Sequence, residues 1–128
     1  MRNHRLLNIT YENFVEIAKN KRCICFGAGY SISKIIKNIE NDISIDYIVD
    51  SDFWKWGQEI DGYEVRAINQ LWKEDMDSVV ILITAKNFTE IEEMLLSEGL
   101  QNYYIYVLFF EHLIEKYDSM TINIQNIN

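Results

Sequence analysis

The chain has no proline, only 5 glycines and 2 cysteines, and no long apolar run in its 128 residues. Each shortage excludes something. The lack of proline, beside abundant Ile, Asn and Lys, is a compositional bias of the source and carries no function. No linker, repeat or second domain stands out. A zinc site needs about four ligands, and beside Cys23 and Cys25 only His4 and His112 remain, so no metal is expected. Cys23 and Cys25 stand two apart, on one face of a strand, and read as buried thiols. The longest apolar run, at 79–83, falls far short of the roughly 20 residues a membrane helix requires. The basic start, Met1 to Arg5, is followed only by Leu6 and Leu7, which is no signal peptide, so a cytoplasmic protein is expected. Cations are scarce as well: 12 Lys and Arg against 20 Asp and Glu, a net charge of −8. Such a chain repels phosphate backbones and anionic membranes at long range, so neither nucleic acid nor membrane is expected as a partner.

What is present is apolar and aromatic. Hydrophobic residues make up 48% of the chain, with 3 Trp, 8 Tyr and 6 Phe, a composition that folds. The length suits a single domain, 1–128. Thr10 as N-cap and Ile9 stapled onto Phe14 predict a helix over 10–20. A buried strand at 22–26 is broken by Gly27-Ala28-Gly29. Ile32, Ile35, Ile36 and Ile39 form one apolar face of a second helix. A second strand at 45–50 ends in Asp50. Residues 51–62 read as a loop, with Asp61-Gly62 a turn ahead of Tyr63-Glu64-Val65. A short helix is expected at 68–74, and the most apolar strand, central in a parallel sheet, at 78–84. A helix at 87–98 has capping-box spacing at Asn87 and Glu90 and a closing glycine at Gly99. A fifth strand at 103–107 completes a βα core over 22–108, and a last helix at 109–117 and a tail fill 109–128. This alternation predicts an α/β fold: a five-stranded, mainly parallel sheet with helices on both faces, in strand order 3-2-1-4-5.

The strongest local pattern is strand, Gly27-Ala28-Gly29, helix, strand, Asp50. A first glycine allows a tight turn, a second lets backbone approach a phosphate, and the free amides of the helix start then face that phosphate. Asp50 follows Gly27 by 23 residues, near the roughly 20 expected of an acid that takes a ribose hydroxyl. On this reading the amides of Ala28, Gly29 and Tyr30 donate to phosphate. Ile32 stands where a third glycine is usual. The plain alternative is a tight βα turn, with Asp50 capping the next loop.

The segments ICFGAG (24–29), IVDSD (48–52), Trp56-Gly57, IDGYEV (60–65) and VVILITA (79–85), with the helix ending Ser97-Glu98-Gly99-Leu100, together resemble a known module. The module is the N-terminal nucleotide-binding domain of bacterial polysaccharide-biosynthesis proteins, found with nucleotide-sugar epimerase/dehydratases, sugar acyltransferases and glycosyltransferases. The resemblance covers roughly 20–108. It implies a Rossmann-like three-layer sandwich that binds NAD(P), a nucleotide-sugar or coenzyme A. It places Gly27, Ala28 and Gly29 on the phosphate, Asp50 and Ser51 on ribose or base, and Thr84 and Ala85 on the opposite wall. Its partners are a nucleotide-type small molecule and either a second copy or a pathway enzyme.

Other residues carry two readings each. Ser31 and Ser33 meet a phosphate, or Ser31 caps the helix. Lys86 supplies charge to a phosphate, or is a solvated loop lysine. Asn87 is a helix cap, or a ligand contact. Tyr30 and Lys34 have the spacing of a dehydrogenase pair, but Tyr30 opens the phosphate helix, so that reading fails. Phe53, Trp54 and Trp56 cover the sheet edge, or form a partner or sugar-stacking surface. His112, Glu92, Glu93, Glu111 and Glu115 read as helix-surface residues. Too little chain follows the fifth strand for a catalytic portion, so the sequence predicts a binding module and not a complete enzyme. The alternative is the same fold with a degenerate pocket, acting as an interaction or oligomerisation protein.

Overall fold

The computed structural model describes residues 9–110. Most of the predicted last helix, the tail, His4 and His112 lie outside the described residues.

The sheet has six strands in the order β3-β4-β2-β1-β5-β6. These are β1 (Arg22–Phe26), β2 (Ile45–Asp50), β3 (Glu59–Ile60), β4 (Tyr63–Ala67), β5 (Val79–Ile83) and β6 (Tyr103–Ile105). All pairings are parallel except the β3–β4 hairpin. The five parallel strands stand in the predicted order. The sixth, β3, falls inside the predicted loop: two residues are too few to show a period, but Asp61 (φ +52°) and Gly62 (φ +90°) turn the chain back, and Ile60 pairs with Tyr63. Positive φ at both central residues is what a two-residue hairpin needs.

Alternating side chains of the central strands feed two cores. Cys23 and Cys25, Ile48, Val65, Val80 and Leu82 point to one face, under α1 (Tyr11–Ala18) and α2 (Ile32–Ile39). Ile24 and Phe26, Tyr47 and Val49, and Val79, Ile81 and Ile83 point to the other, under α3 (Phe88–Ser97) and Leu71. Burial on both faces explains why these strands read as continuous apolar runs.

Local chemistry sets the helix ends. Thr10 Oγ1 accepts from the Asn13 amide at 3.1 Å, and α1 closes before Asn20, which is left-handed at φ +68°. Gly99 (φ +79°) ends α3 as expected: its amide reaches Leu96 O at 3.0 Å and that of Leu100 reaches Leu95 O at 2.9 Å, the paired bonds of a Schellman cap. The expected capping box at Asn87 does not form, since Asn87 makes no side-chain cap bond. Residues 68–73 wind as a 3-10 helix rather than an α-helix, with Leu71 buried. The fifth parallel strand is shorter than predicted, because the chain turns into a 3-10 helix at Tyr106–Phe110.

Candidate functional site

Strand order reverses between β1 and β5, so the loops leaving Phe26 and Ile83 lie side by side. In an open α/β sheet this is where ligands bind. Thr84 joins the loops. Its amide donates to Phe26 O at 3.0 Å, and its buried hydroxyl lies 2.7 Å from Gly27 O and 3.1 Å from Phe26 O.

The two glycines of the turn differ. Gly27 has φ +125°, and a Cβ there would lie 2.9 Å from both Cβ and N of Ala85. Only glycine fits. Gly29 has an ordinary φ, and an added Cβ meets nothing within 4 Å. Its backbone is open to an approaching ligand. Ile32, at the place of the third glycine, is the first residue of α2 and is buried in the core.

Asp50 clamps this turn. Its Oδ2 accepts from the Ala28 amide at 2.7 Å and its Oδ1 from the Asp52 amide at 2.8 Å. Two expected roles therefore meet in one bond: Ala28 does not offer its amide to a phosphate, because the Asp50 carboxylate already takes it. Ala28 itself is buried. The amides of Gly29 and Tyr30 have no acceptor among the described residues.

Sequence reasoning missed Lys55. Its Nζ donates to Ala28 O at 3.0 Å, which places a cation beside Asp50. The signal was Asp52, whose Oδ1 accepts from the Trp54 amide at 3.0 Å and winds 53–55 into a 3-10 turn. The same turn leaves Phe53, Trp54 and Trp56 exposed at 57%, 74% and 44%, with the Phe53 and Trp54 rings 4.6 Å apart. They do not bury themselves against the sheet edge.

The expected residues fall into two clefts rather than one. A cleft of about 290 Å³ is lined by Gly27, Gly29, Asp50, Ser51 and Ala85, with Lys55 and Glu90 on its walls and Ile91 and Met94 of α3 closing it. Ser31, Thr84 and Lys86 line a separate cleft on the α2 side, and Ala85 borders both. The Tyr30 side chain lines neither cleft and points fully into solvent, which leaves only its amide for the expected contact; the helix begins at Ile32, so Tyr30 sits on an extra loop turn. Among the described residues, no group of three or more His, Cys, Asp or Glu is placed to hold a metal ion. No helix among them is long and apolar enough to cross a membrane.

A parallel sheet wound on both faces, with a glycine turn at its switch point, defines a Rossmann-like α/β protein. Within that class, residues 19–106 match the family model described as C2185-like, N-terminal, and the chain belongs to that family. Among solved structures, RSP, a Rex-family repressor, is similar with TM-score 0.50 and 13% identity, over 90% of this chain and 69% of that one. RSP in complex with beta-NAD+ and operator DNA gives TM-score 0.51 and 14% identity, over 91% of this chain and 67% of that one. At such identities the likeness is one of fold. No curated protein matches the chain. Two expectations change. The polysaccharide-biosynthesis setting finds no support in these comparisons; what they share with the resemblance is the Rossmann-like fold. The exclusion of nucleic acid is also corrected, because a neighbour of this fold is held on operator DNA. The physical reason is that phosphate contacts are made by locally clustered groups, on which the net charge of a whole chain does not report.

Proposed function

We propose that the chain is a small nucleotide-binding module, a single domain with its βα core over 22–108 and not a complete enzyme by itself. It seats a phosphate-bearing nucleotide of NAD(P) or nucleotide-sugar type in the cleft of Gly29 and Asp50. The observation that carries this reading is Gly29: its Cα faces open space, and its amide and that of Tyr30 have no acceptor among the described residues. Both amides lie in the turn just before α2, where anions bind. Asp50 holds the turn with one bond on each oxygen and keeps further lone pairs for ribose hydroxyls. The cleft, at about 290 Å³, is at the small end for ligand sites and suits one nucleotide half of a dinucleotide. The beta-NAD+ complex of the Rex-family neighbour favours NAD as the first ligand to try. A nucleotide-sugar rests on motif resemblance alone. Two buried free thiols suit a reducing, cytoplasmic setting.

The test is a titration of the isotope-labelled chain with NAD, NADP and a UDP-sugar, read by amide NMR and thermal shift. Shifts centred on Gly29, Tyr30, Asp50 and Ala85 are expected. A ligand at 100 times its Kd adds about 2.7 kcal/mol, several degrees of Tm. Silence from all three overturns the reading.

A second reading has its own observation, the exposed ring cluster of Phe53, Trp54 and Trp56. On this reading the cluster is a docking surface for a second copy or a partner enzyme. A dimer by light scattering that Trp54→Ala dissociates supports it, and a monomer at high concentration overturns it.

A further inference from the structure

The second cleft, of about 410 Å³, is not used by the proposed nucleotide site. It opens between α2, the segment after β5 and the turn at Tyr106–Phe110. Its size lies within the range of small-molecule sites. Its apolar lining is Ile35, Tyr106, Val107 and Phe110. Its charged lining is Lys34 and Lys86, and among the described residues no Asp or Glu lines it.

That balance is unusual in a chain with 20 acids against 12 bases. The first cleft follows the chain's average, with Asp50 and Glu90 against Lys55. The second inverts it. Neither Lys34 nor Lys86 makes an ion pair or side-chain hydrogen bond with another described residue. The start of α2 adds the same sign. Ser31, its N-cap, lines the cleft, its hydroxyl makes no capping bond, and no acid stands in the first turn. The helix supplies no acid of its own against its partial positive charge there; the Asp61 carboxylate, from the β3–β4 turn, accepts from the Ser33 hydroxyl in that first turn and does not line the cleft.

We propose that this cleft binds a small amphipathic anion: an apolar alkyl or isoprenoid chain ending in one phosphate. The chain lies on Ile35, Val107 and Phe110, and the phosphate is held between Lys34, Lys86 and the Ser31 hydroxyl. Lys34 and Lys86 are exposed and hydrated, so they tolerate any occupant but add attraction for an anion, while the apolar floor adds attraction for a chain; a molecule with both gains both.

The test is calorimetry on the full chain with octyl phosphate below its micelle concentration, beside octanol and inorganic phosphate as separate arms. Octyl phosphate is expected to bind, and each half alone at least about tenfold more weakly, the scale of losing one charge-assisted contact. Amide shifts fall on Ile35, Lys86 and Val107 and spare Gly29 and Asp50. This separates the outcome from that of the NAD titration, which moves the other set. The variant Lys34→Met with Lys86→Met keeps the stems and the parent Tm but binds about tenfold more weakly. Val107→Trp, at an exposed rim position, blocks the cleft without touching the core. No binding of octyl phosphate overturns the proposal. So does equal binding by the double variant, or shifts confined to Phe53, Trp54 and Trp56.

Discussion

The two ends of the sheet are finished in opposite ways. At the amino end, Arg22 is forked between Asp46 and Glu74, and the Tyr47 hydroxyl donates to Glu74 at 3.1 Å. The Arg66 guanidinium covers the Tyr47 ring at 4.2 Å and bonds Glu64. These groups find their partners within the protein. At the carboxyl end, a tight glycine turn is clamped by Asp50, two amides have no acceptor among the described residues, and two clefts open around Ala85. An end that pairs its own charges holds the strands in register. An end that leaves donors open is where a ligand adds something.

The largest effect is expected at Gly27→Val. The position demands φ +125°, and the new side chain runs into Ala85. Strain and overpacking together cost about 2–4 kcal/mol, read as a lower midpoint in urea. A variant as stable as its parent would show that the two loops are not pressed together.

The amino end gives a smaller, pH-dependent effect. Glu74 is held below the usual carboxylate range, chiefly by the hydrogen bond from Arg22, against the opposing pull of burial. A depressed folded value means the fold favours the ionised form. The stabilisation is therefore complete above the unfolded value of about 4.3 and fades as pH falls below it through the folded value. Glu74→Gln should lose about 1 kcal/mol at pH 7, a figure kept low because the Arg22 side chain is 43% exposed. Its stability and that of the parent should converge near pH 3. Parallel curves by denaturation at several pH values would deny Glu74 this part in the amino-end network.

These ends were not equally legible in the sequence. Runs of Ile and Val announced the central strands, and Asp61-Gly62 and Gly99 announced their turns, because each rests on a local rule of period or φ. The five parallel strands follow from alternation, and their order is that of the mononucleotide-binding arrangement. Strand β3 and the split into two clefts do not, since they depend on which loops meet across the sheet. Asp50 shows the limit best. Its place at the end of β2 was readable, but its bond to the Ala28 amide joins that end to the loop after β1, and no local pattern encodes it. Lys55 is illegible for the same reason, since its bond to Ala28 O spans 27 positions and joins two loops. The charge argument failed for a different reason: a sum over the chain says nothing about where cations cluster, and the α2-side cleft gathers two of them.

The smallest effect on stability, and the most telling, is expected at Gly29→Val. Nothing in the fold needs a glycine there, for its φ is ordinary and an added Cβ meets open space. Replacing a glycine at such a position restricts the unfolded chain, so the variant should melt within about 0.5 kcal/mol of the parent. Its side chain nevertheless stands where a phosphate must approach the Gly29 and Tyr30 amides. NAD binding should therefore vanish while Tm holds. Set against Gly27→Val, this separates the glycine that shapes the turn from the glycine that admits the ligand. A Gly29→Val variant that melts normally and binds NAD as the parent does would move the phosphate elsewhere and leave the carboxyl end of β1 a purely structural turn.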